Sequence, residues 1–188
     1  MNPISSAENQ VLTDAVVDVL NQGETLLGEI ENETYVQKLP VAFNASIGGH
    51  YRHCLDHFRS LLDSASTGNL NYDHRERGTL AESDRFAALN ATRQLRDDYQ
   101  RLSQSWLIRE LQVTSKTSYA TVGSQSSTST FAREIMYVVA HAVHHYALIG
   151  IIGALMGIKL PPGFGVAPST AKFQSDLTRK VGSSPQSN

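Results

Sequence analysis

The feature that most constrains the fold of this chain is a mostly apolar run at residues 135–158. The run is about as long as a helix that crosses a bilayer. It contains His141, His144 and His145, which are costly to place in hydrocarbon. The part that follows His145 is too short to span a membrane and is interrupted by glycines. We therefore predict the buried central helix of a helical bundle and no membrane span.

Four segments repeat apolar residues at the three- and four-residue spacing of amphipathic helices. We predict helices at about residues 7–31, 47–64, 79–104 and 131–157. One short and two longer connections between them indicate an all-α fold, an antiparallel four-helix bundle with a long crossover between the second and third helices. The Val, Thr and Ser content of residues 111–127 favours a small β-hairpin before the last helix.

Length and patterning indicate one domain. The chain has 188 residues and shows no internal repeat and no second domain boundary. The residues after Ser175 are polar. We predict a single domain at residues 1–175 and a flexible C-terminal tail at residues 176–188.

Charge and cysteine content exclude several classes of function. The formal net charge is −2, which argues against a nucleic-acid partner because such a protein needs a basic surface. The single cysteine, Cys54, excludes an internal disulfide framework and a multi-cysteine zinc site. We interpret it as a small core residue. The first ten residues lack the pattern of a signal peptide, so we expect a cytoplasmic location.

Six of the seven histidines lie in two short clusters, one on the second predicted helix and one on the fourth: His50, His53 and His57, then His141, His144 and His145. The first three fall within a 60° arc at about 100° per residue. On the fourth helix, His141 and His145 are four residues apart and project from one face, so both can bind the same metal ion.

Two assignments remain open from spacing alone. His141 can also pair with His144, three residues away, whereas His144 and His145 point about 100° apart and do not suit one ion. We expect His144 to pack against another helix. A third ligand from a facing helix would complete a three-histidine site with open positions, which is the arrangement that a catalytic metal needs. Glu134, two turns before His141, could orient a ligand or act as a base.

The histidine-bearing motifs resemble those of the DinB/YfiT-like superfamily. The resemblance covers about residues 43–170 and rests on three motifs: Ser46-Ile-Gly-Gly-His-Tyr-Arg-His-Cys-Leu-Asp-His-Phe, Asn71-Tyr-Asp-His-Arg-Glu-Arg and His141-Ala-Val-His-His-Tyr-Ala-Leu-Ile. The family pattern places its first ligand at His53 and its ligand pair at His141 and His145. His50, His57, His74 and His144 lie outside that pattern.

The resemblance implies a four-helix bundle that binds one divalent metal ion, zinc or nickel in the first place and iron or manganese otherwise. It also implies a homodimer. Relatives in the superfamily include thiol S-transferases that use low-molecular-weight thiols, a mycothiol-dependent isomerase and the bundle domain of sulfoxide synthases. We therefore expect a metal-dependent enzyme, a thiol S-transferase or a hydrolase, that acts on a small molecule.

Other residues are candidates for roles around the metal. Glu134, His57 or Asp56 could take the proton of a thiol or water. Arg75 and Arg77 in the crossover could bind a carboxylate of a thiol cofactor. The alternative for these arginines is a solvated loop face.

Two other functions remain to be compared with the enzyme. The first is a non-catalytic, stress-associated bundle that binds metal or a partner. The second is a di-iron carboxylate protein, which needs Glu-x-x-His motifs on two helices. The second predicted helix contains no glutamate, which disfavours that function.

Overall fold

A computed structural model describes residues 6–73, 79–120 and 123–182 of the chain. The helices within these residues are α1 (Ser6–Glu29), α2 (Asn32–Val36), α3 (Ile47–Thr67), α4 (Leu80–Ser83), α5 (Arg85–Gln100), α6 (Phe131–Leu155) and α7 (Pro168–Gly182). The strands are β1 (Asn69–Asn71), β2 (Glu110–Ser115) and β3 (Gln125–Thr130).

The two helices that carry the histidine clusters begin at side-chain caps. The Ser46 hydroxyl accepts a hydrogen bond from the Gly49 amide at 3.0 Å, and the Thr130 hydroxyl accepts one from the Arg133 amide at 3.2 Å. Each bond satisfies an amide that the first helical turn leaves without a partner. The predicted starts of both helices are confirmed.

The long helices α1, α3, α5 and α6 pack around one apolar core, and hydrogen bonds between them show their relative directions. The Tyr51 hydroxyl contacts that of Thr92, and the Tyr99 hydroxyl donates to the Phe58 carbonyl, so α3 and α5 run in the same direction. The pairs α1–α5 and α3–α6 are antiparallel, because the hydrogen-bonded or ion-paired residues run in opposite orders along the two members of each pair.

A small sheet lies beside the start of α6. Strands β2 and β3 form the antiparallel hairpin that the sequence indicated. Strand β1 adds a third, parallel strand on the far side of β2. The sequence did not indicate this strand, because it is three residues long and its partner lies about 40 positions later. The described chain is thus mainly helical with a small sheet.

The predicted third helix, at residues 79–104, is wrong in its bounds. It is divided into α4 and α5 at Asp84, whose carboxylate caps α5 by accepting the amides of Phe86 and Ala87. Thr79 makes no side-chain cap bond. The helix also ends early, at Gln100, and a short 3₁₀ turn follows it.

Helix α7 was not expected from the sequence. The proposed boundary between domain and tail, at residues 175 and 176, falls inside this helix, whose described side chains beyond Ser169 are exposed. The division into one domain and a tail stays a prediction.

Helix α6 is long and apolar enough to cross a membrane by length and composition, a property that the core helices of soluble proteins share. It packs against α3 and α1. Only 33% of its most apolar window is buried within the chain, so much of this apolar helix faces outward.

Candidate metal centre

The antiparallel contact between α3 and α6 brings the two histidine clusters together. The Nε2 atoms of His53 and His141 lie 3.0 Å apart. His145 is one turn further along α6, and its ring centre is 4.6 Å from those of His53 and His141. One nitrogen from each of the three rings lies within 4.8 Å of the other two. Among the described residues, these histidines form the group that could hold a metal ion.

The donor set fits a divalent ion. Imidazole nitrogens bind zinc at about 2.0–2.1 Å, which places two tetrahedral ligands roughly 3.3 Å apart. The His53–His141 separation is close to that value. All three rings are partly buried. A shift of a few tenths of an ångström at the most distant ring would bring the three nitrogens around one point.

Two further histidines surround the group without belonging to it. The Nδ1 atom of His50 lies 2.9 Å from that of His145. His57 is buried, and its Nδ1–H donates to the His53 carbonyl at 3.0 Å. The His57 ring stacks on that of His141, with ring centres 4.2 Å apart. These contacts fix ring positions around His141 and His145.

The site favours neutral imidazoles. Burial, followed by the neighbouring His141, His50 and His144 rings, lowers the pKa of His145 to about 3. Burial and the nearby His144 also lower the pKa of His50. Neutral imidazole is the form that binds a metal ion.

Glu134 is buried at the sheet side of the site rather than against a histidine nitrogen. Its carboxylate accepts hydrogen bonds from the Tyr72 hydroxyl at 2.9 Å and from the Ser129 hydroxyl at 2.6 Å. Arg133 lies 3.5 Å from the same carboxylate. Burial, followed by this carboxylate, raises the pKa of Tyr72.

Stacked rings connect this carboxylate network to the histidines. The Tyr72 ring stacks on His57 with centres 4.9 Å apart, and the Tyr137 ring stacks on His141 at 5.6 Å. Sequence reasoning named Glu134 and His57 but missed both tyrosines. Tyr72 could have been found, because it lies in the Asn-Tyr-Asp motif that carried the family resemblance.

An open cleft of about 360 Å³ reaches the histidines from the other side. His50, His53 and His145 form its inner wall, while Lys38, Arg52 and Glu82 are among its outer lining. Arg52 is paired with Asp56 at 2.5 Å and with Glu82 at 3.0 Å. The residues 38–46 that line this cleft were not singled out in the sequence.

Some candidate residues lie elsewhere. Arg75, Arg77 and His74 fall outside the described residues. His144 is exposed, so the expectation that it packs against another helix is wrong. Cys54 is 1% exposed and lies in the core, as expected.

Comparison with known proteins supports the fold. The chain superimposes on the crystal structure of a DinB-like protein, YjoA of Bacillus subtilis, with a TM-score of 0.59 and 17% sequence identity. The match covers 80% of this chain and 96% of that one. The chain has a DinB-like fold. The resemblance drawn from the histidine motifs is confirmed at this level.

A second comparison concerns sequence. A stretch of 101 residues is 36% identical to part of FK506-binding protein 5 of Rhizopus delemar. The match covers 54% of this chain but only 26% of the fungal protein, so the DinB-like chain corresponds to about a quarter of that relative. No family model matches the chain.

Proposed function

We propose that this DinB-like protein is a metal-dependent enzyme that activates a thiol or a water molecule at His53, His141 and His145. Its reaction would be of the thiol S-transferase or hydrolase type. We also propose that α1, α3, α5 and α6 form the four-helix bundle of such proteins, with the crossover between two helices that run in the same direction.

The observation that carries this proposal is the cleft beside the histidines. His53 and His145 belong both to the three-histidine group and to the wall of the cleft. A small molecule in the cleft would therefore lie next to the side of the ion that the protein leaves open. A structural metal site is usually closed by four protein ligands, whereas a catalytic one keeps a position for substrate.

When bound, a divalent ion, zinc or nickel in our proposal with iron or manganese as alternatives, would lower the pKa of a thiol or water and so supply a nucleophile near neutral pH. The chain's own residues prepare the site. The contact of His50 with Nδ1 of His145 and the packing of His57 on His141 hold the rings in place.

We assign the proton acceptor to His57. Its Nδ1–H donates to a backbone carbonyl, so the neutral ring carries its lone pair on Nε2. Glu134 is instead a positioning residue, because its carboxylate holds the Tyr72 hydroxyl and Tyr72 stacks on His57. The prediction that Glu134 itself takes the proton has less support from this geometry.

The remaining assignments follow from the family resemblance. We propose a low-molecular-weight thiol as cosubstrate, with Arg75 and Arg77 binding its carboxylate, a cytoplasmic location and a homodimer. Lys38 is an additional candidate for anion binding, because it is exposed at the cleft rim.

One observation favours a non-catalytic, stress-associated metal-binding protein instead. The His50 ring lies beside that of His145, with centres 5.2 Å apart, and a rotation could bring it to the ion as a fourth ligand. Four protein ligands would close the site.

The test compares the two functions on protein purified without a histidine tag and loaded with zinc or nickel. A panel of low-molecular-weight thiols is offered with a bromobimane electrophile. We expect transfer with at least one thiol and its loss in His57→Gln at unchanged metal content. Metal-loaded protein that is silent with every thiol, and that gains an exchangeable ligand position in His50→Ala, would support the non-catalytic function.

A further inference from the structure

Helix α6 has an exposed apolar face that the metal site does not use. Six exposed residues share this face, which we call the α6 stripe: Met136, Ala140, His144, Ala147, Ile151 and Leu155. At about 100° per residue they fall within a 100° arc. The three large apolar members are 61%, 59% and 56% exposed, so the stripe is not covered by the described chain.

The stripe is complementary to itself under a two-fold rotation. If a second α6 lies antiparallel to the first with its centre between positions 145 and 146, Met136 faces Leu155, Ala140 faces Ile151 and His144 faces Ala147 of the other copy. Each small residue then lies opposite a larger one, as close helix packing needs. A symmetric dimer interface requires such self-complementarity.

An apolar groove supplies the matching recess. It has a volume of about 300 Å³ and is formed by the first half of the stripe, α1 and the segment before α7; Met136, Ala140, Leu12, Ala15 and Pro168 are among its lining residues. In the antiparallel arrangement, Ile151 and Leu155 of the second copy lie over this groove. The large exposed side chains at one end of α6 therefore face a recess at the other end.

Charge also favours a second copy over a dissimilar partner. No aspartate, glutamate or arginine occurs at residues 135–158, and no lysine either, so pairing two stripes buries no charged group. The antiparallel arrangement also aligns the two helix dipoles in opposite directions. His144, the polar member of the stripe, would fix the register, as single polar residues do in helical interfaces.

We propose that two copies of this chain associate through the α6 stripe as an antiparallel, two-fold symmetric helix pair. The stripe is about 28 Å long. With a width of about 10 Å, it alone provides less than the roughly 800 Å² per partner of a standard stable interface. The groove walls along α1 must add to it, and we expect a dissociation constant in the micromolar range. This proposal does not depend on the metal or on catalysis.

A charge exchange tests the predicted register. Ala140→Glu and Ile151→Lys should each weaken dimerisation at least about tenfold, because each buries an unpaired charge opposite an apolar residue. The double variant should restore the dimer at low salt, because the introduced carboxylate of each copy would face the introduced ammonium group of the other. Positions 140 and 151 are three turns apart on one helix, so the pair cannot form within one chain. Leu80→Glu is the matched control, since Leu80 is 72% exposed and lies on α4.

Sedimentation equilibrium over about 1–200 µM gives the association constant. Circular dichroism and metal content confirm that each variant is folded. The proposal is supported if the single variants are monomeric and the double variant dimerises. It is overturned if the wild type stays monomeric throughout, if the single variants dimerise like Leu80→Glu, or if the double variant fails to recover. Binding of the wild-type monomer to phosphatidylcholine vesicles would assign the stripe to a membrane surface instead.

Discussion

The Nε2 atoms of His53 and His141 lie 3.0 Å apart, although 88 positions separate the two residues in the chain. Two side chains with the same potential charge are held at this distance by the antiparallel packing of α3 against α6. Protonating both rings would place two positive charges in contact, so the arrangement favours an ion or a shared proton between them.

The hydrogen bonds to Glu134 should stabilise the fold measurably. Tyr72→Phe removes the donor at 2.9 Å and leaves a buried carboxylate with one partner fewer. We expect the free energy of unfolding to fall by about 1–3 kcal/mol, as for other buried groups that lose a partner. Urea unfolding measures this value. Tyr119→Phe, at a fully exposed tyrosine, is the control, and an equal loss in both variants would contradict the role of the bond.

Two glycines in the loop after α6 should differ in their tolerance of alanine. Gly163 and Gly165 both have a positive φ, 75° and 71°. A Cβ at Gly165 would also lie 2.7 Å from backbone atoms of Tyr146 and Ala147, whereas at Gly163 it would meet nothing within 4 Å. Gly163→Ala should cost about 1 kcal/mol from backbone strain alone, and Gly165→Ala clearly more. Equal losses in thermal unfolding would contradict the close approach of this loop to α6.

The ion pairs between α1 and α5 predict a pH dependence. Glu24 is paired with Arg93 and Arg96. The hydrogen bond from Arg93, together with the charges of both arginines, lowers the pKa of Glu24 below its ordinary value of 4.5. A lowered carboxyl pKa stabilises the folded state above pH 4.5, and this contribution is lost as the pH falls through the folded-state pKa.

Glu24→Gln should therefore lower the free energy of unfolding by up to about 1 kcal/mol at pH 7, the usual range for such pairs. The difference from wild type should vanish in acid. Urea unfolding at several pH values measures it, with Glu29→Gln, at an exposed residue of the same helix, as the control. A difference that persists unchanged at about pH 3 would contradict the pairing.

Cys54 should be protected from alkylation. Its side chain is 1% exposed, and burial raises the pKa of its thiol, so the reactive thiolate is scarce in the folded state. Iodoacetamide at about pH 8 should modify the folded protein at least about a hundredfold more slowly than the urea-unfolded protein. Comparable rates would show that α3 opens readily near the metal site.

The parts of the fold that the sequence predicted have local causes. The starts of α3 and α6 follow from Ser46 and Thr130, which cap the amides that come next in the chain, and from apolar spacing within each helix. The break at Asp84 is equally local, and its capping carboxylate was overlooked. Strand β1 is different, because three residues acquire strand structure only by pairing with β2.

The same distinction applies to the site. Spacing alone placed His141 and His145 on one face of α6, but the choice of His53 over its neighbours needed the family resemblance. Which ring reaches the pair depends on how far α3 is shifted along α6. Tyr72 and Ser129 could not be joined to Glu134 by spacing, since the sheet brings them there.

The most direct test of the metal centre is elemental analysis of tag-free protein after incubation with zinc or nickel and removal of unbound ion. The account predicts about one ion per chain in the wild type and in His144→Ala, whose side chain is exposed. It predicts almost none in His53→Ala or His141→Ala. Full retention in both of these variants, or equal loss from all three, would contradict the assignment of the ligands.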